Sequence, residues 1–169
     1  MADAIHNPAC LACAERASGA ACGMSAEALA ALEAIAQRSR FEKGQLLFAE
    51  GHTARGVYLL CEGRARLMIC SEGDKRVMLR IASPGEWLGV GAALSNGIHE
   101  LSAEILESSV VAFIPSKALT KFLREHRDVC ASVVEILSQN LHAAYQRVRS
   151  TGLVRTRRPR PSAPKDEAN

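Results

Sequence analysis

Hydrophobic and polar positions alternate in three different ways along this chain. Residues 1–24 are rich in small side chains and broken by Pro8, Gly19 and Gly23, which suits a poorly packed, flexible N-terminal arm. The segment SAEALAALEAIAQRSR then opens at Ser25, and Leu29, Leu32, Ile35 and Ala36 mark one apolar face at helical spacing. Ser25 is a good N-cap, because its hydroxyl accepts a bond from a first-turn N–H, and Glu27 favours the positive end of the helix. The pattern predicts a first helix of about three turns.

Between Phe41 and Pro115 the period shortens. Apolar runs of strand length, VYLLC, ARLMIC, RVMLRIA and VVAFI, are separated by Gly44, Gly51, Gly56, Gly63, Gly73, Gly85, Gly89 and Gly97. EGD, between the second and third runs, reads as a hairpin turn, because glycine tolerates positive φ. HELSAEILE and VVAFI follow, joined by a short SS. Several short strands at near-regular spacing predict an antiparallel sandwich or jelly-roll barrel.

Beyond Pro115 the helical period returns. SKALTKFLREH predicts a short helix, and a longer one runs from Asp128 to near Ser150. Within it Cys130, Val134, Leu137, Leu141, Ala144 and Val148 are spaced 4, 3, 4, 3, 4, the seam of a helix that pairs with a copy of itself. A stripe buried against the chain's own barrel gives part of the same pattern, and a wide apolar face serves both. Ala144 is small enough for close helix approach, so these six residues are the expected homodimer interface. After Gly152, LVRTRRPRPSAPKDEAN has three prolines and no apolar periodicity, as a disordered tail does. The expected fold is therefore mainly β with flanking helices. Its parts are an arm (1–24), a barrel with its first helices (25–127), a dimerisation helix (128–152) and a basic, proline-rich tail (153–169).

Composition narrows the chemistry. The 169 residues are 48% apolar and 23% charged, with a net charge of +3, as expected of one soluble domain with an arm. The basic excess falls late, in Arg147, Arg149, Arg155, Arg157, Arg158 and Arg160. MADAIHNPAC has no basic n-region or apolar h-region, and no apolar run approaches the ~18 residues of a membrane span, so the expected location is cytoplasmic, with no membrane partner. In that compartment thiols are more often reduced, metal-bound or redox-active than paired.

Three of the six cysteines crowd into CLACAERASGAAC, where Cys10, Cys13 and Cys22 are spaced C-x2-C-x8-C. C-x-x-C aims two sulfurs at one ion, and a closed zinc site or an iron–sulfur cluster normally needs four ligands. Cys61 and Cys70 flank the EGRARLMI strand and Cys130 lies on the helix seam, so any of them is a candidate fourth ligand. Burial as a small core residue is the commoner role for Cys61 and Cys70. His6 lies near enough to Cys10 to complete a Cys3His set, or is simply a solvated arm residue. His52, His99, His126 and His142 are scattered, without the His-x-His pair of a cupin metalloenzyme. No catalytic triad and no phosphate loop is present, so the chain is not expected to be an enzyme.

KGQLLFAEGHTARGVYLLCEGRARL, Lys43 to Leu67, resembles the signature K-G-x-x-x-F-x-x-G, a loop, then Y-x-L-x-x-G-x-A-R of the cyclic-nucleotide-binding-domain superfamily. Gly44, Gly51 and Gly63 sit where tight barrel turns need positive φ, and Phe48, Tyr58 and Leu60 are placed to face the core. SPGEWLGVGAAL resembles the family's phosphate cassette, and VVAFIPSKAL its last strand and following helix. With the cysteine arm and the long helix, residues 25 to 150 are similar to the sensor half of Crp/Fnr-type transcription regulators.

The resemblance implies an effector pocket at Glu86, Gly89, Val90, Leu101 and Ser102. In the family's cyclic-AMP binders a glutamate holds the ribose hydroxyl and an arginine the cyclic phosphate. Here those positions fall at Val90 and near Leu101, so cyclic-nucleotide binding is not expected. The oxygen-sensing members hold a [4Fe–4S] cluster on three arm cysteines and one barrel cysteine, whose position corresponds to Ala112. Two further expectations concern the end of the chain. About 17 residues follow Gly152, too few for the family's winged helix-turn-helix. DNA would then be reached only indirectly or through a full-length relative. The expected function is a redox or oxygen sensor with an iron–sulfur cluster on Cys10, Cys13 and Cys22. An effector pocket with altered contacts, or a dimerisation partner lacking its own DNA-binding domain, is the alternative.

Overall fold

Ser25 caps the first helix in the expected way: its Oγ accepts the Ala28 N–H at 3.1 Å. A computed structural model describes residues 24–71 and 75–150. Helix α1 (Ala26–Ile35) leads to β1 (Gln37–Phe41), β2 (Leu46–Phe48), β3 (Gly56–Glu62), β4 (Ala65–Ser71), β5 (Lys75–Ala82) and β6 (Trp87–Leu88). Helix α2 (Val90–Ser95) interrupts the strands before β7 (Ser102–Ile105) and β8 (Ser109–Pro115). Helices α3 (Ser116–Glu125) and α4 (Arg127–Ser150) follow. The arm, the EGD turn and the tail lie outside the described residues.

The strands form two four-stranded sheets, in the orders β1-β8-β3-β6 and β2-β7-β4-β5, with every named pair antiparallel. This is the expected jelly-roll arrangement. The barrel starts earlier than the apolar runs suggest, since β1 is the polar-looking QRSRF, paired along its length with β8. The short helix α2 was not foreseen within the strand region.

Two apolar cores hold the layers together, and β3 and β8 belong to both. Leu60 and Val111 face the space between the sheets, with Leu47, Phe48, Leu67, Leu88, Ala103 and Ile105. Val57, Leu59, Ala112 and Ile114 face the other way, against Leu32 of α1, Val90 of α2, Leu119 and Phe122 of α3 and Val129 and Val133 of α4. A strand covered on both faces reads as a continuous apolar run, which is why VYLLC and VVAFI stand out. Strand β5 is different: it ends the second sheet, with Val77, Met78 and Ile81 exposed.

The described chain divides within α4, into a unit ending at Leu137 and one beginning at Ser138. In the first, Val129 and Val133 are buried, Leu137 packs against the helix-side core, and Val134 is 64% exposed. In the second, Leu141 and Tyr145 are exposed and Ala144 is uncovered. Among the described residues no helix is long and apolar enough to cross a membrane.

Gly44 and Gly63 have the same left-handed φ of +87°, but different surroundings. A Cβ on Gly44 meets nothing within 4 Å, whereas one on Gly63 would lie 2.0 Å from the Oγ of buried Ser109. Gly44→Ala should therefore cost only the left-handed strain, about 1–2 kcal/mol. Gly63→Ala should cost at least twice as much, read as a larger fall in the urea midpoint. Equal midpoints for the two variants would refute this account of Gly63.

Candidate functional site

The stretch from Ser83 to Ser95 forms a turn, the two residues of β6, and α2. Its turn is pinned to β3, because the Gly85 N–H donates to Leu60 O at 2.7 Å and the Leu60 N–H donates to Glu86 O at 3.1 Å. Glu86 is fully engaged there. One carboxylate oxygen accepts the Ser83 N–H at 2.8 Å, and the other pairs with Arg80. Its charge staples the turn to β5.

Gly89 follows at φ +79°, as the N-cap of α2, with no side-chain cap. Val90, where the resembling family places its ribose-binding carboxylate, is 3% exposed and belongs to the helix-side core. Leu101, near the expected phosphate-binding position, is half-buried against the other core, between the sheets. Ser102 accepts the Glu50 N–H on its Oγ at 3.0 Å. Two positions that would converge on one nucleotide are thus packed into two separate apolar cores.

A residue passed over in the sequence reading occupies the site. His99 is 4% exposed, and its ring stacks on Phe48 with centroids 4.1 Å apart and an interplanar angle of 18°. A Cβ on Gly89 would lie 3.0 Å from the His99 ring and 3.8 Å from Phe48, so the imidazole fills the space above the cassette glycine. The backbone fixes it: the His99 N–H donates to His52 O at 2.9 Å, and the Gly51 N–H donates to His99 O at 2.8 Å. Phe48 in turn packs on Tyr58, and Tyr58 on Phe113, at 5.4 and 5.0 Å between centroids. The only sequence cue for His99 was its place in HELS, two residues before Leu101.

Burial lowers the His99 pKa below its ordinary value; Glu100 opposes this and His52 adds to it. Burial raises that of Tyr58, with Arg55 opposing.

The described cysteines take three different positions, and no disulfide joins them. Cys70 is exposed on β4, its N–H donating to Glu50 Oε2 at 2.7 Å. Cys130 is half-buried in α4, its thiol donating to Leu123 O at 2.9 Å, so this seam position already packs within its own chain. Cys61 sits at the β3–β8 irregularity between Leu60 and Glu62, packed against the helix-side core. Leu59 pairs with Ala112, so Cys61 lies two residues along, on the same face and one strand away from that position. Cys10, Cys13, Cys22 and His6 lie outside the described residues. Among those described, no group of three His, Cys, Asp or Glu is disposed to hold a metal.

The lowered His99 pKa predicts an acid-labile fold. A histidine that is harder to protonate when folded contributes stability that is fully present above about pH 6.5. It is lost as pH falls from there through the folded value. Chemical denaturation between about pH 7.5 and 5.5 (one unit above and below the ordinary value) should show a steeper loss of stability in the native chain than in His99→Phe. Parallel pH profiles would show that His99 does not carry the effect.

Residues 38–126 match the cyclic nucleotide-binding domain family. Among curated proteins the chain is 25% identical over 135 residues to the nitrogen fixation regulation protein FixK of Bradyrhizobium diazoefficiens, covering 80% of this chain and 56% of FixK. Among solved structures it is similar to the catabolite activator protein of Thermus thermophilus, with a TM-score of 0.72 at 21% identity, over 78% of this chain and 62% of that one. The sensor domain of the transcriptional regulator DNR from Pseudomonas aeruginosa gives a TM-score of 0.61 at 18% identity, over 83% and 87% of the two chains. The chain thus spans less than two thirds of the length of FixK and of the Thermus protein. By its family match and its jelly-roll architecture, the chain belongs to the cyclic nucleotide-binding domain family, with homology to FixK and the fold of Crp/Fnr-type regulators.

Proposed function

We propose that this chain is the signal-receiving part of a Crp/Fnr-type transcription regulator. Its input is redox state or oxygen, read through Cys10, Cys13 and Cys22, and not a cyclic nucleotide. The observation that carries this reading is the packing of Val90: an apolar side chain, 3% exposed, stands where a ribose-binding carboxylate is expected. A cyclic phosphate brought there would meet no compensating cation at Leu101, and burying an unpaired anion is costly. With the His99 ring packed over Gly89 and no anchoring charge at Val90 or Leu101, the thiol-rich arm is the segment chemically equipped to receive a different signal.

The donor set fits an iron–sulfur cluster, for which thiolates are the usual ligands. The Ala112 methyl cannot ligate iron, so a fourth sulfur has to come from a neighbouring position. Cys61 is favoured over Cys70 and Cys130. It shares a sheet face with Ala112, and it packs against the same core as Met24, the last residue of the arm. Cys70 lies in the other sheet, and Cys130 lies on α4, off the sheet that carries Ala112. Bound there, a cluster supplies a redox-labile tie between arm and barrel. Cys61 would anchor it to β3, and the arm would be held or released beside α1. The exposed Val134, Leu141 and Tyr145 support a homodimer through α4, the route by which such a change would reach a partner subunit.

Anaerobic purification of the full chain, with iron and acid-labile sulfide assays, tests the reading. Bound iron and sulfide are expected. They should fall in Cys10→Ser, Cys13→Ser, Cys22→Ser and Cys61→Ser, and persist in Cys70→Ser. Calorimetry with cyclic AMP and cyclic GMP should give no binding heat. A colourless protein without iron, or one that binds cyclic AMP tightly, would overturn it.

A further inference from the structure

Helix α3 carries a run of positive charge. Lys117, Lys121 and Arg124 follow one another at spacings of four and three residues, sharing a face over about 10 Å of helix. With Ser116, Thr120 and Glu125 of the same helix, and Asn96 at the C-cap of α2, they line an open cavity of about 430 Å³. That volume lies in the range of small-molecule sites. Three cations face one carboxylate. Lys121 is 3.9 Å from Glu125, while among the described residues Lys117 and Arg124 pair with no carboxylate.

The start of the helix acts in the same direction. Its N-cap, Pro115, offers no side-chain oxygen to the first-turn amides, and this end of a helix favours negative charge. The Ser116 N–H is taken by Arg55 O at 3.0 Å, but the Ser116 Oγ is buried without a hydrogen-bond partner.

The spread of the cations sets the ligand class. Lys117 and Arg124 are separated by two turns of helix, too far for a single phosphate to neutralise both. Linked phosphates can reach along the row, with Arg124 giving paired hydrogen bonds and the lysines acting as point charges. We infer that this groove is a second ligand site, separate from the cassette, for a small polyanion carrying two or more phosphate groups. It depends on none of the arm cysteines. Such a ligand would bridge α3 to Asn96, whose φ of +52° closes the cassette helix α2, and so would bear on the same element as the cassette from its far end.

Calorimetry and thermal unfolding of the full chain with inorganic triphosphate test the inference. One site is expected, with a rise in melting temperature and binding that weakens as salt is added. Orthophosphate should bind at least ~10-fold more weakly. Lys117→Gln/Lys121→Gln/Arg124→Gln should lose at least ~10-fold in affinity. Glu125→Gln should bind more tightly, a gain that a folding defect cannot produce, and the arm-cysteine variants should bind as the native chain does. Absence of binding, unchanged affinity in the triple variant, or equal affinity for orthophosphate would overturn the inference. So would retention of duplex DNA by these cations with no uptake of triphosphate.

Discussion

Burial of one sheet on both of its faces is the constraint on which the rest depends. Strands β3 and β8 send Leu60 and Val111 inward between the sheets, and Leu59, Ala112 and Ile114 outward under the helices. The helices add no closed core of their own: Leu32, Leu119, Phe122 and Val129 are covered because that sheet is there to pack on. A polar substitution in the middle of β8 would therefore enter one core or the other, and no solvated face is available to accept it.

The parts of the fold legible in the sequence are those where local pattern and burial agree. Ser25 acts as the cap its type and position suggest, and the glycines at 44, 51 and 63 all have the left-handed φ that the resemblance implied. Strands β3, β4, β5 and β8 were visible as apolar runs. Strand β1 was not, because QRSRF has a single large apolar residue and is held by its pairing with β8. Helix α2 escaped notice for a related reason. Its residues VGAALS are few and small, and its position follows from Gly89 and the packing of Val90.

The candidate site was half legible. The absence of anchoring charges at Val90 and Leu101 was plain from residue type, but what fills the space was not. His99 carries no periodic signal, and its place depends on Phe48, fifty-one positions earlier, on β2. The commitment of Glu86 to Arg80 and Ser83 was equally hidden, since it arises only when the turn folds back on β5. In both cases the missing information was a tertiary contact. The nearness of Cys61 to the Ala112 position was hidden in the same way, since it arises from the pairing of β3 with β8.

Among the described residues strand β5 is the last of the second sheet, with no further strand paired to its outer edge, and Val77, Met78 and Ile81 are exposed along it. An open, apolar margin of this kind is a template for further strands, and in other proteins charge along the margin is what discourages polymerisation. Arg76, exposed in the same strand, supplies that charge here. Resistance to strand-by-strand association thus rests on a single exposed guanidinium that takes no part in either core.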